Sequence, residues 1–254
     1  MSSYIIIGDV HGCYDELITL LDRYALDCDS RGNKREIVFV GDLVDKGPKP
    51  HRCVELAKML DAVVVKGNHE DNHIRYRGHE RRRIETGKKN PMKRDDEFKK
   101  THRKLISSPL GLIDFMEEFP LFYRIPEHRV VVVHGGLLPG PDGLWLPENV
   151  DPKKITRVRN LKPRDDGTFS FANLKESMEN PDLPFWTEEY NGRETVVYGH
   201  APVKEVRMDS TPHATCWGID TGAVYGNKLS ALLVPEFDVV SVDCPQYYAQ
   251  KKYW

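Results

Sequence analysis

The sequence predicts an α/β protein, because short apolar runs alternate with stretches of helical periodicity from the start of the chain. Apolar runs at residues 4–7, 37–40 and 62–65 are each followed closely by a glycine. Apolar residues recur at helical spacing over residues 17–24, and Pro50 is placed to open a second helix. This βαβαβ order is typical of a largely buried sheet with helical crossovers.

Later strands are expected at residues 129–133, 195–198, 216–220, 229–234 and 238–242. Only turns separate the last three, so we expect them to pair antiparallel. We interpret residues 1–254 as a single domain. It would carry a basic helical insertion around 71–118 and a loop-rich segment around 137–186.

Composition excludes several classes of protein. The chain has 254 residues and a formal net charge of -2, so no overall basic field indicates a nucleic-acid binder. Its five cysteines are scattered and form no CxxC pair, which argues against a disulfide framework or a cysteine zinc site. No apolar run approaches the roughly 18 residues that span a membrane. We therefore expect a cytoplasmic protein without a membrane partner or an obligate protein partner.

Five of the predicted strands end in residues that can bind a metal, each beside a glycine. These residues are Asp9, His11, Asp42, Asn68, His134 and His200. Because the carboxyl ends of parallel strands meet at one edge of a sheet, we expect the six side chains to converge there. The set exceeds what one tetrahedral ion needs, and suits two ions that share a carboxylate roughly 3.5–4 Å apart. Mixed nitrogen and oxygen ligands favour manganese, iron, cobalt or zinc over calcium or magnesium.

In this order the motifs resemble those of the calcineurin-like metallophosphoesterases. They are Asp-x-His at 9–11, Gly-Asp-x-x-Asp at 41–45, Gly-Asn-His-Glu at 67–70, a late histidine at 134, and Gly-His at 199–200. Within that family they look most like the branch of phosphoprotein phosphatases and symmetrical diadenosine tetraphosphatases. The resemblance implies an α/β/β/α sandwich of mixed sheets, with the metal site at the C-terminal ends of the strands.

The resemblance also implies a role for each site residue. Asp9 and His11 would bind one ion, Asp42 would bridge, and the second ion would take Asn68, His134 and His200. His69 would be the general acid that protonates the leaving oxygen. Asp45 would orient His69 and raise its pKa, as a nearby carboxylate should.

Three basic residues are candidate phosphate contacts. Lys46 stands where family members often have arginine, and lacks the two-pronged grip of a guanidinium. Arg157 and Arg159 could supply that grip, because residues 156–159 resemble a segment of the diadenosine tetraphosphatases. Glu70 and Asp45 look more like the protein phosphatases, so the motifs leave the substrate class open.

The predicted activity is hydrolysis of a phosphoanhydride or phosphate ester through water activated by two metal ions. The favoured substrate is a bis(5'-nucleosyl) tetraphosphate or a related nucleotide or capped RNA 5' end. The alternative is the phosphoprotein substrate of a serine/threonine phosphatase. The basic segment from Arg75 to Lys104 is either a solvated surface or a collar that steers polyphosphate or RNA. The remaining histidines are predicted to be structural or exposed: His51, His73, His79, His102, His128 and His213.

Overall fold

The computed structural model describes residues 2–25, 34–140 and 142–250. Its strands, in chain order, are β1 (Ser3–Ile7), β2 (Arg35–Phe39), β3 (Val63–Val64), β4 (Phe122–Ile125), β5 (Val130–Val133), β6 (Leu161–Pro163), β7 (Phe169–Phe171), β8 (Thr195–Tyr198), β9 (Arg207–Ser210), β10 (Thr215–Gly218), β11 (Lys228–Val234) and β12 (Asp238–Asp243).

Its α-helices are α1 (Tyr14–Tyr24), α2 (Pro50–Met59), α3 (Asn68–Thr86), α4 (Asp96–Ser107), α5 (Leu112–Glu117), α6 (Pro152–Ile155), α7 (Leu174–Glu179) and α8 (Trp186–Glu189). Short 3-10 turns lie at Pro126–His128 and Pro147–Asn149.

Two mixed five-stranded sheets form the centre of the molecule. The first has the order β12-β11-β1-β2-β3 and the second β4-β5-β8-β10-β9. In each sheet three strands run parallel: β1, β2 and β3 in the first, and β5, β8 and β10 in the second. The other strands pair antiparallel at the sheet edges. Parallel strand ends therefore meet at one edge of each sheet.

The sheets pack face to face through an apolar layer. Alternate residues of a strand point to opposite faces, so Ile6 joins Val132 and Val197 between the sheets. Its neighbours Ile5 and Ile7 pack with helices of the outer face. Each of these buried side chains contributes roughly 1.5–3 kcal/mol through the apolar area it removes from water. Helices and irregular chain cover the outer faces, which completes the expected α/β/β/α sandwich.

Residues 137–186 cover the outer face of the second sheet. This loop-rich segment includes the β6–β7 hairpin and short helices. Trp145, Ile155 and Trp186 from this stretch are buried against Val131 and other residues of the second sheet. The stretch is therefore a packed layer as well as a series of loops. The basic stretch 71–118 contains most of α3 and all of α4 and α5.

One prediction about the strands is wrong. We expected the strands near 216–220, 229–234 and 238–242 to pair successively, but only β11 and β12 do so. β10 instead lies in the second sheet, parallel to β8 and antiparallel to β9. After β10 the chain crosses to the first sheet through residues 219–227. Turn residues identify a change of direction, but they do not show which sheet receives the next strand.

Two further expectations concern membranes and thiols. In the described parts of the chain, every helix is too short or too polar to cross a bilayer. Cys13, Cys53, Cys216 and Cys244 are buried free thiols. The fifth cysteine, Cys28, lies outside the described residues.

Candidate metal centre

The loops that follow β1, β2, β5 and β8, together with the start of α3, bring the predicted ligands together. Ligand atoms of His11, Asp42 and His69 lie within 4.8 Å of one another, and so do those of Asp42, His134 and His200. Asp42 belongs to both groups. Two adjacent groups with a common carboxylate are the arrangement that a pair of divalent ions requires.

Backbone carbonyls set the orientation of two imidazoles. His11 Nδ1 lies 2.9 Å from the Val44 carbonyl, and His134 Nδ1 lies 2.9 Å from the Val40 carbonyl. Since a carbonyl only accepts hydrogen bonds, Nδ1 carries the proton in both rings and Nε2 faces the site. Histidines that bind metals are typically held in this way.

Nε2 of His134 lies 3.1 Å from Asn68 Oδ1 and 3.4 Å from Asp42 Oδ1. Oxygen atoms this close to an imidazole nitrogen require a proton or a cation between them. Burial disfavours a charged ring, but the charge and hydrogen bond of Asp42, together with the charges of Asp9 and Glu70, outweigh it and raise the pKa of His134 to about 9. The site therefore attracts positive charge at this position, and its residues fit a cation.

Asp9 lies next to His11 and the backbone of His200. Both carboxylate oxygens are 3.2 Å from the backbone nitrogen of His200, and Oδ2 is 4.0 Å from His11 Nε2. A Cβ atom on Gly199 would lie 2.0 Å from Asp9 Oδ1, so only glycine permits this close approach. Burial and the charge of Asp220 raise the pKa of Asp9, and a bound cation would reverse that effect.

Hydrogen bonds hold both the side chain and the backbone of Asp42. Its Oδ1 accepts a hydrogen bond from the His69 backbone nitrogen at 3.0 Å. The fully buried Glu70 accepts hydrogen bonds from the backbone nitrogens of Asp42, Leu43 and Gly67 at 2.9–3.0 Å. Glu70 thereby ties the loop after β2 to the start of α3, a role that the sequence did not reveal.

Burial keeps two of the imidazoles neutral. Desolvation, with smaller contributions from Lys46 and Arg159 respectively, lowers the pKa values of His11 and His200 well below 6.5. A neutral imidazole has a free lone pair for a metal ion. Lys46 Nζ lies 2.7 Å from His11 Nε2, which places this predicted phosphate contact beside the ligands.

His69 and Asp45 are in direct contact. Asp45 Oδ2 lies 2.7 Å from His69 Nδ1, while His69 Nε2 faces Asp42 Oδ2 at 3.9 Å. Burial would raise the pKa of Asp45, but hydrogen bonds from His69 and His73 outweigh it and lower that pKa below 3.8. Asp45 is therefore an ionised acceptor behind the His69 ring.

Sequence reasoning missed three residues near the site. His73 and His102, predicted to be structural or exposed, are both buried. His73 Nε2 lies 2.8 Å from Asp45 Oδ1, and the Nδ1 atoms of the two histidines are 3.1 Å apart. Asp220, also buried, lines the cavity beside Asp9. It follows β10, so the pattern that identified the other strand-end ligands could have identified it.

The two predicted arginines have different surroundings. Arg159 lines the cavity, donates a hydrogen bond from Nη2 to the His200 carbonyl at 2.6 Å, and has a buried Nε without a protein partner among the described residues. Arg157 instead pairs with Asp71 of α3 at 2.8 Å. The available donors of Arg159 make it the stronger candidate for a phosphate contact.

A cavity of about 990 Å³ opens over the candidate ligands. Its far wall includes Leu174, Met178 and Phe185 of the 137–186 segment. Of the basic stretch 75–104, the cavity lining includes only Asp95. Arg77 of that stretch is buried and pairs with Asp114 and Glu117, so part of its charge is structural.

Comparison with known proteins gives consistent results. The calcineurin-like phosphoesterase family model matches residues 3–239. The chain is 30% identical to a protein of Oceanobacillus iheyensis named asymmetrical bis(5'-nucleosyl)-tetraphosphatase PrpE, over 98% of this chain and 95% of that protein. A protein of the same name from Halalkalibacterium halodurans is also 30% identical, over 98% and 96% of the two chains.

Solved structures agree on the fold. A candidate diadenosine tetraphosphatase superposes with a TM-score of 0.74 at 28% identity, over 95% of this chain and 93% of the other. A serine/threonine phosphatase from Saccharomyces cerevisiae gives 0.54 at 15% identity, over 95% and 79%, which supports the fold alone. The chain therefore belongs to the calcineurin-like phosphoesterase family and is a hydrolase of phosphoric esters or anhydrides.

Proposed function

We propose that this protein is a bis(5'-nucleosyl)-tetraphosphatase that requires two divalent transition-metal ions, with manganese as the preferred metal. The observation that carries the proposal is the convergence of two groups of metal-competent side chains, His11–Asp42–His69 and Asp42–His134–His200, on the shared Asp42, in a chain 30% identical to proteins named for this activity. Those relatives are named asymmetrical, so we propose cleavage of diadenosine tetraphosphate into ATP and AMP.

In this proposal Asp9 and His11 would hold one ion, Asn68, His134 and His200 would hold the other, and Asp42 would contribute to both. When bound, the two ions lower the pKa of a water molecule and neutralise charge on the phosphate. The backbone hydrogen bonds of His11 and His134 keep their Nε2 atoms available as ligands. Burial of these rings keeps competing water away.

His69 is the proposed proton donor. Its Nδ1 contacts Asp45, so the ring can present a proton on Nε2 towards the cavity. Asp45 accepts a short hydrogen bond from Nδ1 and so orients the ring. Transfer of that proton to the leaving oxygen typically accelerates such a reaction about 10²–10⁴-fold.

Arg159 and Lys46 are the proposed phosphate contacts. Both line the cavity beside the ligands, and the guanidinium of Arg159 can form charge-assisted hydrogen bonds with phosphate oxygens. Arg157 is not a phosphate contact in this proposal, because its guanidinium already pairs with Asp71.

The decisive experiment is a product analysis. The Mn²⁺-loaded protein is incubated with diadenosine tetraphosphate, and nucleotides are separated by chromatography. We expect equal amounts of ATP and AMP. Two molecules of ADP would indicate symmetrical cleavage and contradict the proposed cleavage position.

A phosphopeptide and a capped RNA serve as competing substrates in the same assay. Rapid turnover of either, with the dinucleotide left intact, would contradict the proposed substrate. The same protein stripped by a chelator should be inactive and should recover with Mn²⁺. Full activity after complete removal of metal would contradict the proposed cofactor.

A further inference from the structure

We propose that His73 and His102 are positioning residues, which hold Asp45 and thereby keep His69 in its reactive orientation. Neither residue belongs to a motif of the sequence. The inference rests on the proposed role of His69 as proton donor, and it assigns a function to the helices of the basic insertion.

Both oxygens of Asp45 are engaged, one on each side. Oδ2 contacts His69 Nδ1 at 2.7 Å and Oδ1 contacts His73 Nε2 at 2.8 Å. A carboxylate held at one oxygen can rotate about its side-chain bonds, whereas one held at both cannot. His73 therefore fixes the direction in which Asp45 holds the His69 ring.

The contacts also assign the protons along this chain. Since an ionised carboxylate only accepts, His73 carries a proton on Nε2. The Nδ1 atoms of His73 and His102 are 3.1 Å apart, so one donates to the other. Nε2 of His102 is buried without a protein partner in the described ranges. A proton there would lack an acceptor at a cost of about 1–3 kcal/mol, so His102 carries its proton on Nδ1 and donates to His73.

Burial supports this assignment. Burial lowers the pKa of His102 to about 4, so the ring is neutral and carries one proton. The donated hydrogen bond then requires a free lone pair on His73 Nδ1. This contact selects the tautomer of His73 that donates to Asp45.

Aromatic packing immobilises the pair. The His73 ring stacks on Phe98 of α4 with centroids 4.0 Å apart and an interplanar angle of 2°. Tyr76 packs edge-on against His102 at 4.8 Å. His73 is fully buried and His102 is 5% exposed. Helices α3 and α4 thus form a rigid support behind the proposed acid.

Isosteric variants separate the hydrogen bonds from the packing. His73→Gln retains an N–H at the position of Nε2, and His102→Asn retains one at the position of Nδ1. His73→Leu and His102→Leu remove these donors. His79→Leu is the matched control, because His79 lies on the same helix outside this chain of contacts.

The assay compares phenyl phosphate, whose leaving oxygen needs a proton, with 4-nitrophenyl phosphate, which needs one far less. We expect His73→Leu to lower kcat for phenyl phosphate about 10–100-fold, with a much smaller loss for the nitro ester and little change in KM. His102→Leu should act in the same direction, and the double variant should lose no more than His73→Leu alone. His73→Gln, His102→Asn and the control should remain near wild type.

Several outcomes would overturn the inference. One is that His73→Leu lowers kcat equally for both esters. Another is that His73→Gln loses as much activity as His73→Leu while its metal content and melting temperature stay normal. If His73→Leu does not fold, the two His102 variants decide. Independently of activity, ¹⁵N NMR of the imidazoles should find His102 protonated at Nδ1 and bare at Nε2; the reverse would exclude the assignment.

The same panel keeps this inference distinct from the proposed function. If His69→Asn shows no extra loss on phenyl phosphate, the proton-donor role fails and this inference fails with it. If diadenosine tetraphosphate is not hydrolysed but the ester pattern appears, only the proposed substrate fails.

Discussion

The two sides of His69 are built differently. Towards the cavity lie Asp42 and His11, which come from loops after parallel strands and belong to recurrent motifs. Behind the ring lie Asp45, His73 and His102, the latter two from the interiors of α3 and α4. The cavity side is dense in charge, whereas the rear combines one carboxylate with stacked aromatic rings.

Binding a cation and orienting a side chain place different demands on the residues that do so. Cation ligands must be charged or have free lone pairs, so short motifs beside glycines provide them. Orientation only requires that the ligand or acid cannot rotate, which any well-packed neighbour can achieve. Substitutions of the proposed ligands on the cavity side should therefore remove metal and activity together, and those behind the His69 ring should change the chemistry alone.

The largest effect is expected for Asp42→Asn. Its carboxylate is common to both candidate groups, so its charge would support both proposed ions. We expect loss of bound metal and a fall in kcat of roughly 10³-fold or more. Metal analysis and steady-state kinetics provide the measurements. Asp15→Asn, at an exposed residue paired with Lys49, is the control. Full metal content in Asp42→Asn would contradict its bridging role.

His69→Asn should cause the next largest loss of activity. It should also distinguish loss of the acid from loss of metal most clearly. We expect kcat to fall about 10²–10⁴-fold, because the proton donor is lost. Metal content should remain near the wild-type value, since His69 is not a proposed ligand. Loss of metal together with activity would show that His69 is itself a metal ligand, which would contradict its role as the acid.

A smaller effect is expected for the cavity arginine. Arg159→Ala should lower kcat/KM by roughly 10–100-fold through KM, because it removes charge-assisted hydrogen bonds of about 1.5–3 kcal/mol. Arg157→Ala, its matched control, should have little effect, because Asp71 already pairs with it. Equal losses in the two variants would show that both arginines contact phosphate.

The smallest expected effect is the pH dependence of the free energy of unfolding that arises from His102. The pKa of His102 is about 4 when folded and 6.5 in its ordinary state. Between pH 4 and pH 6.5, His102 is protonated in the unfolded chain but neutral in the folded one. The stability that His102 contributes as a neutral ring is therefore complete above pH 6.5 and disappears as the pH falls towards 4. At pH 5 the loss is at most about 2 kcal/mol.

Urea unfolding at pH 7 and pH 5 tests this expectation. Wild type should lose more stability than His102→Asn, in which that ionisation is absent. Other groups titrate in both proteins, so the difference between them isolates His102. An identical loss in both would show that His102 is not kept neutral by the fold.

Much of the centre could be predicted because its signals are local. An apolar run, a glycine and an Asp or His within a few residues indicate a strand end with a ligand, as at Asp9 and His134. The family resemblance then predicted the sandwich, which the fold confirms. Asp220 carried the same signal but was not included. The error at residues 216–220 arose because pairing partners are set by packing between distant segments, not by the intervening turns.

The positions of most strands, the identities of the candidate ligands and the class of chemistry could be read from the sequence, because their signals come from residues close together in the chain. Three features became visible in the folded chain alone. Glu70 hydrogen-bonds the loop after β2, and Arg159 rather than Arg157 lines the cavity. His73 contacts Asp45, and His102 contacts His73. The physical reason is distance along the chain. Hydrogen bonds join atoms that folding brings together, and residues 45, 73 and 102 meet only when α3 and α4 pack beside the sheet.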